Sequence, residues 1–168
     1  GLMDRKGDLI SFSSYGWHKG FYNVDDVDDI TDALFRIKYT DFFEYPEDDE
    51  FPYDSAHSLL CGSCNHFAVA LKNVLGYTPY IIEETDKKGF HAFCQVYKNG
   101  RLYYVDARGV TSSFDEFMVV AQEFVRGEYT IREATQDVIE EWESGSEYND
   151  EAYAFAEAVF KEYIECYT

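Results

Sequence analysis

A cysteine, a histidine and an aspartate, met in that order along the chain as Cys64, His91 and Asp106, have the types and placement for thiol-nucleophile chemistry. A thiol attacks a carbonyl as its thiolate, and the unpaired N–H groups and partial positive charge of a helix N-terminus favour that anion. Cys64 opens an apolar helical repeat of Phe67, Ala68, Ala70, Leu71, Val74 and Leu75, which Gly76 closes. Backbone N–H groups at the same helix start can also receive the oxyanion of a tetrahedral intermediate. His91, in Gly89-Phe90-His91-Ala92-Phe93, is the expected general base. Asp106 is expected to fix the histidine tautomer and to stabilise the imidazolium that forms. Asn65 and Gln95 are candidates for contacts to substrate or oxyanion. Arg108 either grips a substrate carboxylate through two donors or pairs with one of the chain's own 33 acids.

These side chains need elements to hold them. Residues 7–23, rich in Gly, Ser and aromatics, read as an irregular arm with a short strand at most. Asp25, Asp26, Asp28 and Asp29, ahead of Ile30, Ala33, Leu34 and Ile37, predict a helix over about 25–38. Tyr45 to Pro52, with two prolines and four consecutive acids, reads as a surface loop. The helix opened by Ser63 or Cys64 follows, and then strands at Tyr80–Glu83, Phe90–Tyr97 and Arg101–Asp106 form a three-stranded antiparallel meander over 80–107. Asn99-Gly100 is a strong hairpin signal. Folding about it sets Asp106 opposite Phe93, one alternate position from His91. Ser112 or Ser113 caps a further helix through Phe117, Val120 and Phe124. The acidic segments 132–143 and 150–166 read as two more helices, separated by Ser144-Gly145-Ser146 and packing through Tyr153, Phe155, Phe160 and Tyr163.

Gly62-x-Cys64-x-x-x-Ala68, the turn Gly76-Tyr77-Thr78-Pro79, His91-Ala92-Phe93-x-x-Val96-Tyr97 and Val105-Asp106 together resemble the transglutaminase-like core. That core reads G-x-C-x-x-x-A, a G-I-P-like turn, H-A-W-x-E-V-Y and a terminal D. The resemblance covers residues 62–109, with Phe93 at the usual Trp and Gln95 where Glu is common. Cys61-Gly62-Ser63-Cys64 is also similar to the papain C-G-S-C signature, although papain places its histidine roughly 130 residues or more downstream. Tyr103 to Phe117 is similar to small bacterial and phage proteins carrying a D-x-R-G motif. The resemblance implies an α+β cysteine-proteinase (transglutaminase-like) fold, with the Cys64 helix packed on a small antiparallel sheet and helices flanking it. It further implies a cysteine-dependent hydrolase or acyltransferase acting on an amide or thioester, as a protease, amidase or deamidase that needs no cofactor.

Three rival readings concern the same residues. Cys61 is an alternative nucleophile, and Cys61, Cys64, His66 and His91 contain four candidate zinc ligands, though no second Cys-x-x-Cys or His-x₃-His pair completes a zinc spacing. The fold would also serve a catalytically silent binding or immunity-type module. The whole chain of 168 residues has the length of a single domain, with 62–109 as its catalytic core and 132–168 as acidic C-terminal helices. A net charge of −19 opposes binding to a nucleic-acid backbone and would suit a basic protein partner. The substrate expected is a peptide, protein or peptidoglycan-like amide. No apolar run long enough for a membrane span and no signal-peptide core occur, so the expected place is the cytoplasm, with secretion as an effector also compatible.

Overall fold

The computed structural model describes residues 2–3, 9–10, 34–44, 55–60, 62–85, 90–115, 117–118, 121, 125, 127–145, 150–164 and 167–168. Two short strands, β1 (Leu2–Met3) and β2 (Leu9–Ile10), pair antiparallel. Most of the helix expected over 25–38 lies outside the described residues, as do the acidic loop at 45–52 and the turn at 86–89. Leu34 to Arg36 are helical, and by Lys38 the backbone is extended and bridges to Ser55.

The central element is a five-stranded antiparallel sheet in the order β6-β5-β4-β3-β7. Its strands are β3 (Thr78–Glu84), β4 (Phe90–Lys98), β5 (Arg101–Asp106), β6 (Gly109–Thr111) and β7 (Tyr129–Glu133). The β4–β5 hairpin turns at Asn99-Gly100, where both residues take positive φ (55° and 78°), the geometry that Asn-Gly supplies at least cost. Its register, Lys98 with Arg101 through Cys94 with Val105, is the one expected from that turn.

The expected meander gains a strand at each side. On one side, Ala107-Arg108 turn the chain directly into β6, so that Asp106 pairs with Gly109, whose φ of 115° suits only glycine. On the other, β7 takes Arg132 and Glu133, which the sequence placed in a helix starting at 132. The β-branched pair Thr130-Ile131 extends here along the open edge of β3, Ile131 opposite Ile82. The helix itself, α2 (Gln136–Ser144), begins only after the extended Thr135.

Both faces of the sheet are covered. Alternation sends Ala92, Cys94, Tyr103 and Val105 toward α1 (Cys64–Leu75) and α3 (Asp150–Glu162), in a core that includes Phe67, Leu71, Phe155, Val159 and Phe160. Ile82 and Phe93 face the other way, onto Phe117, Met118, Ala121 and Val125. That second layer starts with a backbone bond from Phe117 to the Ser113 carbonyl (3.0 Å), which makes Ser113 the helix-opening residue, while Val120 and Phe124 lie outside the described residues. The protein is therefore α+β, and among the described residues no helix is long and apolar enough to cross a membrane.

Candidate active site

Cys64 is the first residue of α1 and is 7% exposed. Its Sγ accepts a hydrogen bond from the Ala92 N–H at 3.4 Å, which ties the helix start to β4 one residue beyond His91. The α1 face places this contact: Phe67, Ala68 and Leu71 are buried against the sheet, and Cys94 on β4 donates its S–H to the Ala68 carbonyl at 3.4 Å. Helix and strand are thus fixed against each other at two points along their length.

His91 is fully buried, its ring lying parallel to that of Phe93 and 5.9 Å from that of Phe117. Nε2 shares a hydrogen bond of 3.1 Å with Oδ2 of Asp106, across the β4–β5 pairing. Burial works against the imidazolium, but hydrogen bonds and charge from Asp106 and Cys64 outweigh it and raise the His91 pKa to about 9. The ring therefore favours its cationic form at neutral pH.

Asp106 is 2% exposed, and burial alone would raise its pKa. The charge of Arg108 and hydrogen bonds from His91 and Arg108 hold its carboxyl well below the usual carboxylate range. Oδ1 accepts from the Arg108 backbone N–H (2.9 Å) and Nε (3.1 Å), and Oδ2 accepts from Nη2 (2.6 Å) as well as from His91. Arg108 is fully buried. Of its two expected roles, the structure places it on the chain's own acid.

The other candidates differ in position. Oδ1 of Asn65 accepts from the backbone N–H of His66 and, also at 3.0 Å, from its ring Nδ1–H. Asn65 is therefore at the helix start, turned in part toward His66. Burial lowers the pKa of His66 to about 4, against the smaller opposing effect of a hydrogen bond to the Ser63 backbone, so this ring is neutral. Gln95 shares a strand face with His91 but stands four residues on, roughly 13 Å along the strand. It lines a pocket of about 300 Å³ with Tyr77, Thr78, Tyr80 and Tyr97, away from the thiol. Cys61 lies outside the described residues. Among the described residues, no group of three or more His, Cys, Asp or Glu side chains could hold a metal ion.

Two supports were not legible in the sequence. Tyr167, fully buried, donates its hydroxyl to the Ala107 carbonyl at 2.8 Å, inside the turn between Asp106 and Arg108. Phe117 accepts from Arg108 Nη2 through its carbonyl (3.0 Å), and its ring lies 5.7 Å from the guanidinium carbon. Tyr167 acts from 60 residues beyond Ala107 and Phe117 from nine residues beyond Arg108, and neither residue type signals such a role by itself. Comparison of the chain with family models, curated proteins and solved structures finds no match.

Proposed function

We propose that the protein is a cysteine-dependent hydrolase or acyltransferase acting on an amide or thioester through Cys64, His91 and Asp106. The observation that carries this reading is the continuous buried line from the α1 N-terminus to the β5 end: Sγ against the β4 backbone, His91 beside it, and Asp106 on Nε2 at 3.1 Å. With Nε2 engaged by Asp106, Nδ1 is the nitrogen through which the ring exchanges a proton with the thiol. The thiolate adds to the carbonyl carbon, and the oxyanion is received by backbone N–H groups at the helix start. The imidazolium then protonates the leaving amine or thiolate as the C–N or C–S bond breaks, leaving an acyl-thioester on Cys64. Water or an amine attacks that thioester, giving its proton to His91 and releasing the thiolate. The order of the three residues on helix, strand and strand, and the resemblance to the transglutaminase-like core, support the same reading. A peptide, protein or peptidoglycan-like amide is the substrate class proposed.

The burial of all three groups supports a second reading, in which the fold serves as a silent binding or immunity-type module. Alkylation of Cys64 by iodoacetamide separates the two. For the enzyme, labelling at about pH 6–7 is expected to be at least about tenfold faster in the wild type than in His91→Ala. Equal rates, together with no turnover of peptide, glutamine or peptidoglycan substrates, would leave the binding module.

A further inference from the structure

We infer that Arg108 is a positioning residue of the thiol site, whose guanidinium locks Asp106 as a carboxylate in one orientation and through it fixes His91 for exchange with Cys64. The inference rests on the proposed function above and concerns a residue outside the three assigned there.

The geometry gives Asp106 several donors from one residue. Arg108 engages both oxygens of Asp106 through its backbone N–H, Nε and Nη2, which fixes the plane of the carboxylate as well as its position. The guanidinium is itself held, since Nη2 also reaches the Phe117 carbonyl and the Phe117 ring lies beside it. With no exposure, it has no route to a substrate carboxylate. Oδ2 is shared between Nη2 at 2.6 Å and His91 Nε2 at 3.1 Å, so the oxygen that orients the imidazole is the one the guanidinium grips most closely.

Charge leads to the same role. Among the described residues, the titratable and charged groups around Asp106 are His91 from β4, Arg108 from the β5–β6 turn and, through charge alone, Cys94 from β4, while Cys64 from α1 acts on His91. When Cys64 and His91 form a thiolate–imidazolium pair, Asp106 and Arg108 form a second pair and the buried cluster is neutral. Without Arg108 the cluster carries an uncompensated negative charge, which desolvation makes costly. A proton on Asp106 would relieve that charge, and a protonated Oδ2 no longer accepts the Nε2 hydrogen.

The test is the rate of Cys64 alkylation by iodoacetamide as a function of pH in the full chain, with folding of each variant checked by circular dichroism. Arg108→Met is expected to move the acid limb of the profile up by about one pH unit or more and to lower the plateau at least about tenfold. Arg108→Lys keeps a cation without the planar fork, so its acid limb stays near that of the wild type while the plateau remains low. Wild-type limb and plateau in both variants overturn the inference, and if Arg108→Met does not fold, a wild-type plateau in Arg108→Lys does so alone. His91→Ala distinguishes the two levels of failure. If it labels like the wild type, the thiol–imidazole reading itself falls; if it labels slowly while both Arg108 variants behave as wild type, only the positioning role is lost.

Discussion

Burying a carboxylate between an imidazole and a guanidinium strips water from all three, and only well-aligned hydrogen bonds offset that cost. Asp106 meets the condition with both oxygens engaged. Removing one member of such a set is far more damaging than the net contribution of the set, because the remaining charges stay buried. Asp106→Asn preserves the side-chain volume but turns an amide N–H toward a donor on His91 or Arg108. It is expected to lower the unfolding free energy by about 3–5 kcal/mol in a urea titration. Its combination with Arg108→Met should cost less than the two single changes added, since the second change removes the cation that the first left uncompensated.

At the scale of elements, the site depends on two turns within one meander. Asn99-Gly100 sets the β4–β5 register that brings Asp106 to His91, and Gly109 allows the chain to reverse immediately after Arg108. Gly109→Ala forces a side chain into a positive-φ conformation and is expected to destabilise the fold by about 1 kcal/mol or more in thermal or urea unfolding. The first turn was legible in the sequence because its chemistry is local: Asn-Gly between alternating segments admits few other structures. The same holds for α1, whose apolar repeat and closing Gly76 lie within a dozen residues. The outer strands were not legible. β6 has only three residues, and β7 is exposed throughout its length, so neither carries a burial pattern that betrays it. Each forms because a neighbouring strand leaves an edge to pair with, which is a tertiary fact. Cys64, His91 and Asp106 were identifiable by type and order. The role of Gln95 stayed open because sequence neighbourhood said nothing of the distance that four strand residues cover.

Across the whole molecule, two buried histidines respond to pH in opposite senses. His91 has a folded pKa of about 9, above its ordinary 6.5, so the stability it contributes is full below about pH 6.5 and is lost as pH rises through 9. His66, with a folded pKa of about 4, is bound neutral, so stability falls as pH drops from 6.5 toward 4 and the unfolded chain takes up a proton that the fold refuses. Asp106, held low, adds a further loss below about pH 4. Stability is therefore expected to peak near pH 6.5, as measured by the thermal midpoint across pH. His91→Gln should flatten the alkaline side and His66→Gln the acid side; a profile whose alkaline side is unchanged in His91→Gln would contradict the assignment. Tyr167 adds a consequence of another kind, because its hydroxyl holds the Asp106–Arg108 turn from a position 60 residues beyond Ala107. Translation at about 5–20 residues per second leaves an interval of roughly 3–12 s between the synthesis of that turn and of the residue that clasps it. A nascent chain thus carries Cys64, His91 and Asp106 for seconds before Tyr167 is there to clasp the turn that follows Asp106.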